Sequence, residues 1–251
     1  MARIALITGA TSGIGREFYN LLRDDPSYDE LWVTGRNTSA LAELEGPNTE
    51  TIPADLTQDG DIDRIINMIE ERKATVSLLI NCAGLGFRSL FEEQSASMVA
   101  TTIDVNCRAL SVLCSRCLPY MENGSSRIIN IASSSGFLPQ PTFTVYAATK
   151  AYVISFSRAL GEELRSRKIP VTVVCPGPVV TDFQARATEG RDTEFTGIRK
   201  SIAARPEDVA RASLKVSRRG RSLFVYGFLQ KLLHITTKII PLGWILRIIK
   251  W

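Results

Sequence analysis

Tyr146 and Lys150 are the two residues of this chain with the clearest capacity for acid–base chemistry. They lie four positions apart in a stretch that predicts a helix, so their side chains share one face of it. A neighbouring ammonium group favours phenolate and lowers the pKa of a phenol, which makes Tyr146 a candidate proton donor and acceptor near neutral pH. The same spacing is common by chance, so the assignment depends on other parts of the chain.

A glycine-rich turn near the start of the chain predicts a dinucleotide site. Three glycines follow the first apolar run and precede a helical pattern, which permits a tight turn and the close approach of a pyrophosphate. The amino terminus of the helix adds unpaired amides and the positive end of a dipole. The predicted contacts are Gly9, Thr11, Ser12, Gly13, Ile14 and Gly15. The alternative is a tight turn without a ligand.

The end of the second predicted strand bears on the choice between NAD and NADP. An NAD site usually places a carboxylate there for the ribose hydroxyls, but this chain has Gly35, Arg36 and Asn37. A guanidinium suits a 2′-phosphate. We therefore predict NADP(H) as the cofactor, with Arg36 and Asn37 among its contacts. The alternative is that Arg36 is only a solvated loop cation.

Two further strand ends are predicted to contact the adenosine half of the cofactor. Asp55, next to Leu56, follows the third predicted strand and can accept a hydrogen bond from the adenine amino group. Small residues after the fourth strand let the backbone approach the adenine ribose. The predicted contacts there are Asn81, Ala83 and Gly84. Each stretch alone is an ordinary turn, and the prediction depends on their order.

Apolar runs rich in strand-forming residues alternate with longer helical patterns. Strands are predicted at residues 4–8, 31–34, 50–53, 77–81, 127–131, 171–175 and 223–226. Helices are predicted at about 14–22, 38–44, 58–73, 96–121, 145–167 and 206–217. Continuous apolar runs are typical of strands covered on both faces. The pattern predicts an α/β fold with one Rossmann-like, doubly wound parallel sheet over residues 1–227, followed by an amphipathic helical extension at 228–251.

The charge of the chain is unevenly distributed. It has 30 Lys and Arg against 26 Asp and Glu, a net charge of +4. No acidic residue follows Asp208, whereas nine cations do, so residues 1–208 carry 21 cations against 26 acids, about −5. The cations of the tail are embedded among Leu, Ile and Trp, which argues against a nucleic-acid partner.

The five cysteines show no spacing typical of a metal site, and no metal is predicted. Cys114 and Cys117 lie in an apolar helical pattern and are interpreted as buried free thiols. An odd, scattered set of cysteines indicates a reducing compartment. The strand pattern begins directly after the first residues, which leaves no room for a cleavable signal peptide. We expect a cytoplasmic location.

Together these motifs resemble the short-chain dehydrogenase/reductase family from about residue 3 to 227. In chain order they are residues 8–15, Asp55, residues 81–84, Asn106, Ser133, Tyr146, Lys150 and residues 176–181. Two departures occur. Cys82 replaces the second asparagine usual in its turn, and Ser12 stands where many NADP-dependent members carry a basic residue.

The resemblance implies a catalytic role for four residues. Ser133, thirteen residues before the tyrosine, would donate a hydrogen bond to the substrate carbonyl. Tyr146 would protonate that oxygen, and Lys150 would lower the pKa of Tyr146 and hold the nicotinamide ribose. Asn106, in the kinked middle of its helix, would anchor a water that relays protons to Lys150. The two serines that follow Ser133 are interpreted as loop caps.

The resemblance also implies the position of the substrate. The turn after the sixth strand would reach the nicotinamide carboxamide through Pro176, Gly177, Val179 and Thr181, and residues 182–205 would form a lid. The groups predicted to line an apolar pocket are residues 85–91, Leu138, Phe143, Phe183, Phe195 and Ile198. These residues favour a lipophilic ketone or secondary alcohol, such as a 3-oxoacyl or steroid compound. Homodimers or homotetramers would form through helices 96–121 and 145–167.

The extension at 228–251 is predicted to lie on a membrane surface. Its apolar residues fall on one helical face, namely Leu229, Leu232, Leu233, Ile239 and Ile240, while Lys231, His234 and Lys238 fall on another. The interior cations and Pro241 argue against a spanning helix, and the cationic amphipathic pattern favours an interfacial one. The alternative is a flap over the substrate mouth or a partner subunit. His234 is interpreted as an ordinary member of the polar face.

Two other functional classes compete with a carbonyl reductase. A non-catalytic NADP-binding regulator could share the fold, but it would have no need for the set of Ser133, Tyr146 and Lys150. Sugar-nucleotide epimerases also use Tyr-x-x-x-Lys, but they carry a sizeable C-terminal substrate domain that is missing here.

Overall fold

A seven-stranded parallel sheet forms the centre of the computed structural model, which describes residues 1–188 and 203–248. The strands run in the order β3-β2-β1-β4-β5-β6-β7. They are β1 (Arg3–Thr8), β2 (Glu30–Gly35), β3 (Thr49–Pro53), β4 (Thr75–Asn81), β5 (Arg127–Ile131), β6 (Val171–Cys175) and β7 (Leu223–Val225). The predicted fold class is confirmed, and the predicted strand ends agree to within two residues.

Helices cover both faces of this sheet. The described ones are α1 (Gly13–Leu22), α2 (Thr38–Ala42), α3 (Asp59–Glu71), α4 (Ala96–Ile103), α5 (Leu110–Cys117), α6 (Thr144–Glu163), α7 (Phe183–Ala187), α8 (Pro206–Ser217), α9 (Phe228–Ile239) and α10 (Leu242–Ile248). The single helix predicted at 96–121 is divided, because a π-helical segment at Asp104–Ala109 joins α4 to α5. A π-helical turn inside an α-helix is frequent at functional sites.

The two faces of the sheet build two apolar layers. In β1, Ile4 and Leu6 pack into the layer formed with α3, α5 and α6, whereas Ala5 and Ile7 pack into the layer formed with α1 and α8. Side chains alternate between the faces of a strand, so a strand covered on both sides must be apolar throughout. The continuous apolar runs of the sequence have this cause.

The order of the strands reverses between β1 and β4. The chain moves outward from β1 through β2 to β3, then returns to the other side of β1 for β4 and the strands beyond it. In such sheets a crevice opens at the carboxyl ends of the strands where the order reverses. Gly9, directly after β1, and Gly84, after β4, therefore lie at this crevice.

Helix α9 turns Gln230 and His234 inward and most of its large apolar residues outward. Gln230 is buried and His234 is half-buried, whereas Phe228 and Ile239 are 80% and 75% exposed. His234 belongs to the polar face, as interpreted from the sequence, but its ring packs on Phe137 with centroids 4.4 Å apart. Leu233 is also half-buried, so it does not share the exposure of the other predicted apolar residues.

Within the two described ranges, no helix has both the length and the apolar content needed to cross a membrane. Helices α9 and α10 are separated at Pro241, where the sequence predicts a break.

Candidate active site

Glycines open the turn between β1 and α1. Gly9 and Gly13 have φ of 68° and 55°, in the left-handed region that favours glycine. A Cβ on Gly15 would overlap the carbonyl oxygen of Gly9. The amides of Gly9 and Ala10 donate to the Thr34 carbonyl at 2.9 and 3.2 Å, which fixes the turn. A backbone without side chains at the amino terminus of α1 fits the pyrophosphate of a dinucleotide.

A cation from the segment after β6 reaches this turn. The guanidinium of Arg186, in α7, donates to Ser12 Oγ at 3.2 Å. A Cβ on Gly13 would lie 3.0 Å from the Thr181 side chain, so Thr181 packs on the same turn. The structure thus brings together the predicted contacts Ser12 and Thr181. The sequence analysis did not identify Arg186, whose only signal is a cation five residues after Thr181.

The ends of β2 and β3 hold residues predicted for the adenosine half. Arg36 is exposed. The pKa of Asp55 is lowered chiefly by a hydrogen bond from the Thr57 amide, and the charge of Arg36 lowers it further. Asn37 accepts a hydrogen bond from the Ala40 amide at 3.0 Å and caps α2. Arg36 and Asp55 therefore lie at one edge of the crevice, while the Asn37 side chain already serves the fold.

Two predicted contacts place their side chains in the core. Leu56 packs in the apolar layer beside α3. Asn81 is buried, and its Nδ2 donates to Asn130 Oδ1 at 2.9 Å. For both residues only the backbone remains to contact a ligand.

The turn after β4 is fastened to β1. Thr8 Oγ1 accepts hydrogen bonds from the amides of Cys82 and Ala83 at 3.1 and 3.0 Å. A Cβ on Gly9 would lie 2.8 Å from the Cα of Ala83, so the two turns touch through their backbones. The predicted cofactor contacts in the turn after β1 and in the turn after β4 thus form one continuous surface. Thr11 extends that surface toward β2, since its side chain packs on Gly35.

Asn106 and Lys150 meet at Gly84. A Cβ on Gly84 would lie 3.3 Å from Asn106 Oδ1 and 3.4 Å from Lys150 Nζ. Lys150 is buried in α6, and its Nζ donates to the Ile131 carbonyl at 2.9 Å. Burial lowers the pKa of Lys150 to about 8. These contacts place two of the four predicted catalytic residues on either side of the turn that follows β4.

Asn106 fastens the loop after β4 to α6. Its Oδ1 accepts from the Leu85 amide at 3.0 Å, and its Nδ2 donates to the Leu85 carbonyl at 2.8 Å and to Thr149 Oγ1 at 3.0 Å. The π-helical segment is the element that carries this side chain. Asn106 thus acts on the site by holding Leu85, a contact that sequence reasoning missed.

Aromatic rings enclose Tyr146. The ring centroids of Phe143 and Phe183 lie 4.2 and 5.3 Å from that of Tyr146. Burial raises the pKa of Tyr146 to about 12, and the Ser133 hydroxyl opposes this shift only in part. The prediction that Lys150 lowers this pKa is wrong for this structure. The enclosed ring disfavours phenolate, and the Lys150 ammonium, 5.6 Å from the ring centroid, donates to a backbone carbonyl instead.

Ser133 lies between β5 and a short turn. Its Oγ accepts from the Ser135 amide at 3.1 Å and caps the 3-10 turn Ser134–Phe137. The Ser134 amide donates to the Pro176 carbonyl at 2.8 Å. The loop that carries Ser133 is therefore joined to the loop after β6 that is predicted to hold the nicotinamide.

The loop after β6 leads into the segment at 182–205, of which the structure describes 182–188 and 203–205. The Pro178 carbonyl accepts from the Ala204 amide, and the Val180 amide donates to the Ala204 carbonyl, both at 2.9 Å. These bonds fix the backbone around Val179. Of the predicted pocket residues, Leu138 and Phe143 are buried, and Phe195 and Ile198 lie outside the described residues.

Gly86 also shapes this pocket. A Cβ there would lie 2.6 Å from Tyr146 Cδ2, so a glycine lets the loop after β4 pack on the ring. The signal for Gly86 in the sequence is a second glycine two positions after Gly84.

A groove of about 940 Å³ between α1 and α8 is not the site. Its lining includes Asp25, Arg211 and Arg218, whose charges are paired, Arg218 with Asp25 and Arg211 with Glu207. It contains none of the predicted catalytic or cofactor residues.

The family model for short chain dehydrogenases matches residues 3–192. The chain belongs to the short-chain dehydrogenase family. It is 32% identical to an uncharacterized oxidoreductase of Staphylococcus aureus over 217 residues, covering 84% of this chain and 89% of that protein. It is 33% identical over 206 residues to an uncharacterized oxidoreductase of Staphylococcus epidermidis, covering 80% and 86%.

Two solved structures resemble this short-chain dehydrogenase throughout. One is a short-chain dehydrogenase from Sphingobium yanoikuyae in complex with NADPH, with a TM-score of 0.80, 26% identity and coverage of 100% of this chain and 97% of that one. The other is the closed form of serine dehydrogenase complexed with NADP+, with a TM-score of 0.81, 28% identity and coverage of 90% and 95%. The predicted family and nicotinamide-binding fold are confirmed, and the protein is an oxidoreductase.

Proposed function

We propose that this short-chain dehydrogenase reduces a lipophilic ketone with NADPH, and oxidises the corresponding secondary alcohol in reverse, with Tyr146 as the acid and base. The enclosure of Tyr146 by Phe143 and Phe183 carries the proposal. It holds a protonated phenol, with a pKa of about 12, in an apolar pocket. A protonated phenol is the form that a reduction needs, because the new alcohol must receive a proton.

Each catalytic residue has a role that follows from its place. Ser133 would hydrogen-bond the substrate carbonyl and stabilise charge on its oxygen, and Tyr146 would protonate that oxygen. The Lys150 ammonium would bind the ribose hydroxyls of the nicotinamide nucleotide. Asn106 would keep the loop after β4 in place through Leu85. The nicotinamide, when bound, supplies or accepts the hydride.

The preference for NADP(H) is supported by Arg36. It lies at the end of β2, where this chain has no carboxylate to bind the ribose hydroxyls of NAD. The two similar structures described above contain NADPH and NADP+. Arg36 would bind the 2′-phosphate.

A panel of ketones tests this function. We expect NADPH consumption with at least one lipophilic 3-oxoacyl or steroid ketone and a lower kcat/KM with NADH. If the protein binds NADPH tightly but reduces no ketone of the panel, the proposed reductase function is rejected in favour of a non-catalytic NADP-binding regulator.

We also propose that residues 228–251 form an extension that docks on a membrane surface. The outward face of α9 exposes Phe228, Leu232, Ile235 and Ile239, and α10 adds Trp244. Lys231 and Lys238 are exposed beside them, which suits anionic headgroups. Lipophilic substrates could then enter from the lipid, and the protein would be cytoplasmic and peripherally bound.

Sedimentation with anionic phosphatidylserine vesicles tests the docking. Wild type should sediment with the vesicles, and a variant with Leu232→Ser, Ile235→Ser and Ile239→Ser should remain in solution. Val180→Ser, an exposed apolar residue outside the extension, is the matched control. Equal sedimentation of all three proteins would refute the proposal.

We also propose that the protein forms homo-oligomers through an interface on helices α4 to α6. Ile103 and Tyr152 are large exposed apolar residues on these helices, and with Phe91 they line an apolar groove. The Tyr152 hydroxyl bonds Ser111 Oγ at 2.9 Å, which links α5 to α6. Light scattering after gel filtration should give a dimer or tetramer, and Ile103→Lys should yield monomers. A monomeric wild type would contradict this assignment.

A further inference from the structure

The inward face of α9 carries Gln230 and His234 beside the half-buried Leu233, which is unusual for a helix that packs on a protein. An amphipathic helix normally buries its apolar stripe and exposes its polar one. Here Gln230 and His234, one turn apart, face the protein, while Phe228 and Ile235 face outward. A buried polar stripe requires hydrogen-bonding partners on the opposite side.

Gln230 lacks such partners within the described part of the chain. Its side chain is 8% exposed. A carboxamide can donate two hydrogen bonds and accept two, yet no hydrogen bond joins it to any group in residues 1–188 and 203–248. Neither amide atom is among the fully buried polar atoms without a partner, so both remain accessible. An accessible, unbonded amide on the inward side of a helix can serve a small polar group that reaches it.

The position of this amide connects it to the catalytic loops. A Cβ on Gly177 would overlap the amide nitrogen of Gln230, and a Cβ on Gly227 would overlap its oxygen. Gly177 follows Pro176, whose carbonyl is bonded to the amide that follows Ser133. The amide therefore lies against the loop that is joined to the Ser133 loop.

His234, one helical turn after Gln230, also contacts the loop that carries Ser133. Its ring packs on Phe137, which ends the short turn after Ser133. Phe143 and Phe183 wall the pocket around Tyr146. The Ser133 loop and Tyr146 are thus bordered by apolar rings from two segments and by Gln230 and His234 of α9.

We propose that Gln230 is a specificity-determining residue that hydrogen-bonds a second polar group of the substrate, separate from the carbonyl that is reduced. This inference rests on the proposed reductase function and narrows its substrates to amphiphilic ketones. The apolar part packs on the aromatic rings, and a hydroxyl, carbonyl or amide group at a distance from the reacting carbon meets Gln230. The C-terminal extension is then part of the active site.

A series of methyl ketones of increasing chain length, each with and without a terminal hydroxyl, tests the proposal. Wild type should prefer the hydroxylated member at one chain length, and Gln230→Met should remove that preference by about tenfold or more in kcat/KM, the loss expected for one hydrogen bond. Lys215→Met, at an exposed position on α8, should keep it. A preference that survives in Gln230→Met, or an equal loss for both ketones, would overturn the proposal.

Two further measurements separate other roles of Gln230. The Kd of NADPH, from fluorescence titration, should be the same in wild type and Gln230→Met; a clear rise would assign the amide to the cofactor and overturn the proposal. The Tm should stay about equal, because the amide makes no hydrogen bond that Met would remove. A lower Tm would mean that the amide holds α9 in place, which would also overturn it. If wild type reduces no ketone at all, the proposed reductase fails, and the Tm and Kd results still decide the role of Gln230.

Discussion

The rings of Phe143 and Tyr146 stack with their centroids 4.2 Å apart and their planes 21° apart. Thr142, just before Phe143, has φ of 62°, a genuine outlier for a β-branched residue. Its carbonyl accepts from the Ser89 amide at 2.9 Å, which holds this backbone in place. Strain of this kind persists where the surroundings enforce it, commonly at active sites. The strained turn thus positions the Phe143 ring that buries the Tyr146 phenol, the proposed acid and base.

Phe143→Ala should lower the pKa of Tyr146 from its value of about 12, because water would reach the phenol and solvate the phenolate. In the pH profile of kcat for ketone reduction, the alkaline limb should move to lower pH. Phe143→Leu, which keeps an apolar cover, should shift it less. Superimposable profiles for wild type and Phe143→Ala would show that the ring does not set this pKa.

Gly86→Ala should displace the Tyr146 ring, since the new Cβ would lie 2.6 Å from Tyr146 Cδ2. A displacement of about 1 Å can cost on the order of 100-fold in rate. We expect kcat to fall by this order while the Kd of NADPH changes little. Gly60→Ala is the matched control, because a Cβ there meets nothing within 4 Å. Full activity in Gly86→Ala would count against the assigned position of the ring.

Arg186→Gln should weaken the binding of NADPH and NADH by similar factors, because Arg186 lies at Ser12, beside the predicted pyrophosphate position. Arg36→Gln should weaken NADPH binding alone, since NADH lacks the 2′-phosphate. Fluorescence titration measures the Kd of NADPH and of NADH for each of the two variants. A selective loss of NADPH binding in Arg186→Gln would place that guanidinium at the 2′-phosphate instead.

Lys150→Met should change how stability depends on pH. The pKa of Lys150 falls from 10.5 to about 8 on burial, so between these values the unfolded chain binds a proton that the folded protein has lost. Wild type should therefore gain stability relative to Lys150→Met as pH rises from 8 to 10.5, by at most about 3 kcal/mol. Urea unfolding of both proteins measures the difference in their free energies of unfolding. Burial raises the pKa of the Cys82 and Cys175 thiols, which lowers stability as pH rises, but both proteins carry these cysteines and the effect largely cancels in the difference. A difference that stays constant or falls with pH would show that burial does not lower the pKa of Lys150.

The fold was predictable because its physical signals are local. The continuous apolar runs, such as 171–175, predict strands covered on both faces, and the glycines after β1 predict the turn that faces the ligand. The convergence of Asn106 with Lys150 required the family resemblance, since no local pattern places a residue of one helix beside Gly84.

Other features of the site depend on tertiary contacts that periodicity cannot report. Arg186 reaches Ser12 only because α7 packs over the glycine-rich turn. The raised pKa of Tyr146 depends on Phe143 and Phe183, which lie in different segments. The amphipathic pattern of α9 is compatible with a membrane surface or with a flap over the substrate mouth, and only tertiary contacts show that Gln230 faces inward.

The single-turnover rate of NADPH oxidation with the best ketone of the panel, compared between wild type and Tyr146→Phe, tests the central claim most directly. The phenylalanine keeps the ring stack and removes only the proton donor. The account predicts a fall of about 10²–10⁴-fold in this rate with an unchanged Kd for NADPH. A Tyr146→Phe protein that oxidises NADPH at the wild-type rate would contradict the role of Tyr146.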